Sequence, residues 1–305
     1  MSMNAIEIPA DVTAWLNGVF STCNERVTEK LCANPNVPEE SLDLSWIEEL
    51  SRHSTAVTLE SDWTVRLRAH FLGGLRHWNG WEVADIGILL FIRAGGVLRR
   101  RKVALLQSKR LYPTNMAVSE ESLIDYAIGF ARLADPEDIG TSIAFETDFR
   151  FDGQCRYGAL TIGSHQAAAI ENFQRDRGLR IYYQFYNPWT TPFSQRVPLR
   201  GYVPPEGPVV LGVRIVPAST VHAIAPSVGR SPSLDDLAAA QVPDGYGWRL
   251  EAFISEELLS CREGNAFSST SDDAIDGLFY RRSGAIAAAI GITIEGPEGS
   301  LGQFD

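Results

Sequence analysis

The stretch that most restricts the fold is VADIGILLFIRAGGVLRRRKVALLQSKRL, residues 83–111. Within 86–92, Ile86, Ile88, Leu90 and Ile92 alternate with Gly87, Leu89 and Phe91. A glycine pair follows at 95–96, and a second apolar run covers 103–106. Two such runs around a glycine turn are typical of a β-hairpin. We therefore predict two adjacent antiparallel strands, with Asp85 on the first and the Gln107-Ser108-Lys109 tripeptide on the second.

The spacing of the polar residues in this hairpin predicts a common site. Side chains two positions apart on a strand face the same side of the sheet, so Gln107 and Lys109 point together and Ser108 points away. Asp85 lies on the neighbouring strand. Hydrolysis of a phosphodiester with a divalent cation needs oxygen ligands for the cation and positive charge near the phosphate. The carboxylate, the amide oxygen and the ammonium of these three side chains can meet that need.

Composition limits the class of protein. The chain has 305 residues, of which 45% are hydrophobic and 21% charged, which favours one large domain or two modest ones. Its apolar runs are too short to span a bilayer, and residues 1–20 carry acids where a signal peptide carries basic residues, so we expect a cytoplasmic protein without membrane contact. The net charge of −11 argues against indiscriminate coating of nucleic acid, although one local basic groove remains compatible with it.

The remaining chain predicts an α/β body with helical additions. Residues 5–52 have helical periodicity with a break at 34–38, and residues 58–75 are predicted as a helix because Trp63, Leu67 and Phe71 recur every fourth position. Further predicted helices cover 164–177, 234–240, 248–261, 273–290 and a segment from Ser119 or Ser122 to Leu133, and predicted strands cover 142–145, 180–186 and 209–216. The four cysteines show no CxxC pairing and are interpreted as free thiols in or near the core.

The hairpin resembles the PD-(D/E)xK, or restriction-endonuclease-like, nuclease superfamily, in which a strand Asp and a (D/E)xK tripeptide on the following strand bind metal. The matching residues are Asp85, Gln107 and Lys109. Gln at the first position of the tripeptide resembles the QxK variant of Mrr-like restriction enzymes, and Ala84 stands where the family usually has proline. A helical Glu often joins these residues in the family, and Glu60 is the candidate for it here.

The resemblance implies a mixed central sheet flanked by helices, with helical additions at both ends. We expect an N-terminal helical segment over 1–54, a nuclease-like core over 55–222 and a mainly helical extension over 223–305. It also implies a Mg²⁺- or Mn²⁺-dependent endonuclease acting on DNA, with a role in bacterial defence or restriction. Asp85, Gln107 and Glu60 would be metal ligands, and Lys109 would stabilise the phosphate or activate water. An ATPase, a sensor protein or a second copy of the chain would supply targeting.

Several alternatives remain open from the sequence. Glu82 or Asp62 could take the acidic role instead of Glu60. The basic residues Arg99, Arg100, Arg101, Lys102 and Arg110 are candidates for nucleic-acid binding, although a basic run beside a hairpin turn also occurs as a solvated edge. A nuclease-like fold without catalysis, serving as a nucleic-acid- or protein-binding subunit, is the competing function.

Overall fold

The protein is described by a computed structural model that covers residues 7–72, 83–114, 147–197, 203, 206–224, 231–240, 242–267, 279 and 286–298. The predicted helix that begins at Ser119 or Ser122 and the predicted strand over 142–145 lie outside the described residues. So does Glu82, one of the alternative acids.

A large mixed β-sheet forms the centre of the molecule. Its nine strands within the described residues are β1 (Val57–Thr58), β2 (Thr64–Phe71), β3 (Ala84–Ala94), β4 (Val97–Arg110), β6 (Ile181–Tyr186), β8 (Val213–Pro217), β9 (Trp248–Arg249), β10 (Asn265–Ala266) and β11 (Ile286–Gly296). The strand order is β1-β2-β11-β3-β4-β6-β8-β9, with β10 paired to β4. β11 is parallel to β3 and β6 is parallel to β4, whereas the other pairs are antiparallel. Strands β5 (Thr147–Phe151) and β7 (Phe193–Val197) form a separate ribbon.

The predicted hairpin is confirmed as β3 and β4. The turn between them uses Gly95 and Gly96 at φ values of 55° and 75°, a left-handed backbone region that glycine enters without steric cost. Ile86 pairs with Leu106, and the register continues to Ile92 before it shifts at Arg93. β4 is longer than β3, so its last two residues extend past the start of β3. This overhang positions the candidate site.

Helices cover both faces of the sheet. Helices α1 (Ala10–Ala33) and α2 (Glu39–Ser51) pack against each other, and the break between them agrees with the predicted one at 34–38. Tyr186 Oη donates to Asp43 of α2, whereas Tyr183 Oη lies 2.9 Å from His222 Nε2 of α4 (Ala218–Ile224). Because odd and even positions of β6 face opposite sides, α2 and α4 lie on opposite faces of the sheet.

Two further helices form where predicted, whereas α4 was not predicted and the helix predicted over 248–261 differs locally. Helices α3 (His165–Arg177) and α5 (Leu234–Ala239) form where predicted, with Ser164 and Ser233 as N-caps that accept backbone N–H groups. The predicted helix over 248–261 begins as β9 and continues as α6 (Leu250–Ala252), which leads into a π-helical segment, Phe253–Leu258. α6 and the π-helical segment pack against α1.

The helix predicted over 58–75 is wrong, because the structure places β2 there. Trp63, Val65 and Leu67 are buried, and the intervening Arg66 and Arg68 are exposed. Trp63, Leu67 and Phe71 are spaced four residues apart, which fits one face of a helix. All three also lie at every second position of a strand, together with Val65. Pairing with β11 along eight positions selects the strand, since it satisfies the backbone hydrogen bonds of β2 within the sheet.

The C-terminal region also differs from the expected helical extension. Residues Ile286–Gly296 form β11, which lies between β2 and β3 in the middle of the sheet. β11 replaces the last part of the helix predicted over 273–290, and 273–278 and 280–285 lie outside the described residues. Ile290, Ile292 and Ile294 are fully buried, and alanine, glycine and threonine alternate with them. The run of alanines before them resembles a helix in sequence, and the parallel partner β3 determines the strand. The ranges 55–222 and 223–305 therefore share one sheet.

Candidate active site at the end of the central hairpin

Asp85 and Gln107 meet at the end of the hairpin, on one face of the sheet. Continuing the register from Ile86 and Leu106 places them directly opposite each other. Gln107 Nε2 donates to Asp85 Oδ2 at 2.6 Å, and the backbone N–H of Ser108 donates to the same oxygen at 2.7 Å. The structure thus brings together the acid and the amide that the strand pattern predicts on adjacent strands.

Lys109 lies beside an acid that the sequence analysis did not select. The β4 overhang leaves the backbone N–H of Arg110 without a β3 partner, and Glu39 Oε1 accepts it at 3.0 Å. The other oxygen, Oε2, is 3.7 Å from Lys109 Nζ. Glu39 is the first residue of α2, where a negative side chain interacts favourably with the helix dipole. The start of α2 thereby supplies a carboxylate to the edge of the hairpin.

Burial raises the pKa of the Glu39 carboxyl above its ordinary value. The ammonium of Lys109 and the N–H of Arg110 oppose this shift, because both stabilise the charged form, and the negative charge of Asp85 adds to it. Glu39 is therefore an acid whose charge depends on Lys109. Loss of the Lys109 charge would favour the protonated form of Glu39 further.

A second acid, Asp43, lies one helical turn after Glu39 and on the other side of β4. Its Oδ1 accepts hydrogen bonds from Ser108 Oγ and Tyr186 Oη, each at 2.5 Å. Burial raises the pKa of Asp43 well above the ordinary value, and the charge of Asp85 raises it further, against the effect of the two hydroxyl donors. Ser108 consequently connects two acids, since its N–H contacts Asp85 and its hydroxyl contacts Asp43.

The raised pKa of Asp43 predicts a pH-dependent stability. The folded state binds the Asp43 proton more tightly than the unfolded chain, so its stabilising contribution is complete below the ordinary pKa of 3.8 and is lost as the pH rises through the folded pKa. We expect Asp43→Asn, which mimics the protonated acid, to lose less free energy of unfolding than the wild type between those pH values. Urea unfolding at several pH values measures this difference. An identical pH dependence in both proteins would contradict it.

The donor set can take a hard cation. Gln107 Oε1 is buried and has no hydrogen-bond partner among the described residues, and a cation is one partner that a buried amide oxygen can accept. The carboxylates of Asp85 and Glu39 provide further oxygen donors nearby. Within the described ranges, however, no three His, Cys, Asp or Glu side chains form a metal-binding group. A cation here would therefore depend on the amide oxygen and on ligands from substrate or water.

The structure does not bring Glu60 to this site. Glu60 is exposed in the turn between β1 and β2. Thr64, the first residue of β2 after this turn, pairs with Glu295 of β11, which pairs in turn with Arg93 of β3. Arg93 lies near the opposite end of β3 from Asp85. Eight strand positions separate Arg93 from Asp85, which is about 26 Å at the usual rise. The assignment of Glu60 depended on the helix that is replaced by β2, and exposed Asp62 lies in the same turn.

Glu39 could have been found from its local sequence. Asn34-Pro35-Asn36-Val37-Pro38 ends one helix, and Glu39-Glu40 opens the next, as acids often do in a first helical turn. What the sequence does not reveal is that this turn contacts the end of β4. That contact joins residues 71 positions apart.

Three of the five predicted nucleic-acid-binding residues are used inside the fold. Lys102 is buried, and its ammonium donates to the carbonyls of Leu258 and Glu263. Arg110 is 1% exposed, and its guanidinium donates to the carbonyls of Pro35 and Val37. The guanidinium of Arg100 donates to the thiol of Cys261. Burial of Lys102 and Arg110 against carbonyls of distant segments argues against their contact with nucleic acid, and for the half-buried Arg100 that assignment stays a prediction. Arg99 is exposed and Arg101 is half-buried.

The aromatic residues of β6 and the cysteines have structural positions. Tyr182, Tyr183, Phe185 and Tyr186 are at most 1% exposed, so they are core residues. All four cysteines are free, and three are buried, as predicted. Burial raises the pKa of the Cys155 thiol to about 11, which disfavours the nucleophilic thiolate at neutral pH.

Comparisons of the chain with protein-family models, with curated proteins and with solved structures found no match. Among the helices in the described part of the chain, none is both long enough and apolar enough to cross a membrane.

Proposed function

We propose that this protein is a divalent-metal-dependent nuclease of the PD-(D/E)xK class, with a neutral glutamine in place of the second acid. The observation that carries the proposal is the convergence of four side chains from three elements. Asp85 of β3 contacts Gln107 of β4, and Lys109 of β4 contacts Glu39 of α2. In this assignment, Glu39 replaces Glu60 as the helical acid. The mixed sheet flanked by helices is compatible with a restriction-endonuclease-like fold.

Each side chain has a role that its position supports. Asp85, Gln107 and Glu39 would hold Mg²⁺ or Mn²⁺ through oxygen atoms. The cation, when bound, would lower the pKa of a coordinated water and offset negative charge on the phosphate. The ammonium of Lys109 would stabilise the charge that develops on the phosphate as it is attacked. Ser108 would orient Asp85 through its backbone N–H, and the buried Asp43 would hold Ser108 in place.

The glutamine changes how a cation would bind. Two carboxylates about 4 Å apart repel by roughly 4 kcal/mol at an effective dielectric near 20, and the neutral amide of Gln107 avoids this cost while attracting the cation less. We propose that metal binding is weak in the free protein and that the substrate phosphate completes the coordination. DNA is the proposed substrate, and bacterial defence or restriction is the proposed role.

A second candidate function is a binding subunit that retains the fold without cleavage. The observation that favours it is that the N–H of Gln107 occupies an oxygen of Asp85, while Lys109 is paired with Glu39. Both interactions stabilise the site without a cation. In that case we expect nucleic-acid or protein binding that is independent of divalent metal.

Incubation of the full chain with plasmid, single-stranded DNA and RNA in the presence of Mg²⁺ or Mn²⁺ tests the two functions. We expect cleavage that a chelator stops. Glu39→Gln should lower the rate by about 10–100-fold, which is typical of losing a residue that supports a metal site. Glu60→Gln is the matched control and should cleave at the wild-type rate. Absence of cleavage with every substrate and metal, together with metal-independent binding, would favour the binding subunit.

A further inference from the structure

A basic row crosses the sheet on the face that carries Asp85. Strand pairing aligns Arg66, Thr293, Phe91 and Arg101 across β2, β11, β3 and β4. The next row contains Arg68, Gly291, Leu89 and Val103, and the row after it contains His70, Ala289, Gly87 and Leu105. Directly paired residues project from the same face, so the three rows lie side by side on it, and we call this face the sheet groove. Its accessible part lies on β2, β11 and β3 in the first two rows, whereas Val103, Leu105, Ala289 and Gly87 are buried.

Positive charge lines the outer edge of the sheet groove. Arg66, Arg68 and His70 are exposed at alternate positions of β2. Unlike most arginines in the described residues, Arg66 and Arg68 have neither an ion pair nor a side-chain hydrogen bond there. Glu295, beyond the Arg66 row, is the exposed acid at that end of β11. A protein of net charge −11 thus places two exposed arginines two positions apart on one strand, which concentrates positive charge there.

The floor of the sheet groove is low because its central residues are small. A Cβ atom built on Gly291 would lie 3.9 Å from the carbonyl oxygen of Arg68 and 4.0 Å from Arg68 Cβ, so a side chain fits here at ordinary contact distance from the described residues. Leu89 and Phe91 are half-buried on the adjacent strand and offer apolar surface beside the arginines. A floor of glycine and a partly exposed aromatic ring can accept a flat base, while the arginines contact phosphates.

The sheet groove points towards the candidate active site. Phe91 and Asp85 are six positions apart on β3, which is about 20 Å at the usual rise. Phe279 lies over the intervening Gly87, since a Cβ atom there would be 2.7 Å from the Phe279 ring. The ring is half-buried and adds a second aromatic surface between the Arg66 row and Asp85.

We infer that the sheet groove binds a single strand of nucleic acid and directs it to Asp85. Arg66 and Arg68 contact phosphates, and Phe91 contacts a base. A single strand is favoured over a duplex because only unpaired bases expose their faces to an aromatic residue on the sheet. This inference rests on the proposed nuclease function for its direction, but binding itself needs neither metal nor cleavage.

Binding of labelled oligothymidylate and oligouridylate by the full chain, with chelator present, tests the inference. Each phosphate contact with a single strand contributes about 0.7 to the slope of log K against log salt concentration, so Arg66→Ala with Arg68→Ala should reduce this slope by about 1.4. The matched control is Arg26→Ala with Arg52→Ala, which changes the net charge equally on helices of the opposite face. An unchanged slope in the Arg66/Arg68 variant, or an equal change in the control, overturns the inference.

A second variant tests the shape of the sheet groove without changing its charge. Gly291→Val places a β-branched side chain on a strand, with its Cβ at ordinary contact distance from Arg68, so we expect an unchanged or higher melting temperature together with at least threefold weaker binding of the oligonucleotides. Wild-type binding by folded Gly291→Val overturns the inference, as does a duplex that binds more tightly than either single strand. Comparison of the affinities for oligothymidylate and oligouridylate shows whether the sheet groove prefers DNA or RNA. If these variants still cleave and their binding is unchanged, the binding role of the sheet groove is refuted and the nuclease function is not. If binding depends on the sheet groove but no cleavage occurs, the nuclease function is refuted and the binding role is not.

Discussion

Replacing Asp85 by Asn is expected to lower the rate of metal-dependent cleavage by about 10³-fold, while the protein stays folded. Asn removes the negative charge but keeps an oxygen that can accept the N–H groups of Gln107 and Ser108. Ala at this position would leave both donors unpaired, which costs about 1–3 kcal/mol of folding stability for each buried group. A loss of cleavage in that variant could then come from unfolding and not from the missing carboxylate. Initial rates of plasmid cleavage at saturating Mg²⁺ and Mn²⁺ measure the effect.

Asp62→Asn is the matched control for Asp85→Asn. It makes the same change of charge at an exposed position, and Asn tolerates the φ value of 63° that Asp62 adopts. We expect the wild-type cleavage rate in this control. Equal rates for the two variants would remove Asp85 from the active site.

The role of Lys109 can be tested with the same cleavage assay. Its charge also stabilises Glu39, so stability must be measured together with the rate. Lys109→Met should lower cleavage by about 10²–10³-fold, as expected for the loss of a group that stabilises transition-state charge. It should also destabilise the fold, because it leaves the half-buried Glu39 without its cation. Adding Glu39→Gln should restore the free energy of unfolding but not the cleavage rate. Recovery of cleavage in the double variant would show that Lys109 acts only on the structure.

Replacing Arg110 by Leu is expected to reduce the free energy of unfolding by about 3–6 kcal/mol. The guanidinium donates to two carbonyls in the α1–α2 connection, and hydrogen bonds from charged groups contribute about 1.5–3 kcal/mol each. It also lies 4.3 Å from the centroid of the Tyr112 ring. Leu keeps part of the packing volume and removes these interactions. Guanidinium chloride unfolding, followed by tryptophan fluorescence and by circular dichroism, measures the change.

Arg99→Leu is the control for Arg110→Leu, because Arg99 is exposed on the same strand. Its free energy of unfolding should stay within about 0.5 kcal/mol of the wild-type value. If Arg110→Leu instead kept full stability and lost only affinity for nucleic acid, the sequence-based assignment of Arg110 to a binding surface would be correct and the structural role would be wrong.

The sequence predicted the hairpin well because its apolar runs and its glycine turn act locally. The contact between Asp85 and Gln107 follows from strand alternation and register alone, so it could be anticipated. The helical acid could not, because Glu39 reaches Lys109 only through the packing of α2 on the end of β4. Glu60 was selected because Trp63, Leu67 and Phe71 fit a helical period as well as a strand period. Only pairing with β11 distinguishes these periods, and β11 comes more than 200 residues later.

The interior contacts of Lys102 and Arg110 could not be predicted for a related reason. Composition shows that Arg99 to Lys102 and Arg110 are charged, but not whether buried carbonyls lie within their reach. Lys102 and Arg110 have such carbonyls supplied by distant segments, Glu263 and Val37 among them. Two exposed arginines, Arg66 and Arg68, fell within a helix prediction, so their alternation along one strand was not recognised.

The bond between the Arg110 N–H and Glu39 has a consequence for how the chain is made. Its two residues are 71 positions apart, and ribosomes add about 5–20 residues per second, so Glu39 is synthesised roughly 4–14 s before its partner. During that interval, α1 and α2 lack the strand that buries Asp43 and holds the start of α2. The acids that complete the site are therefore translated first, and the site can assemble only after β4 has left the ribosome.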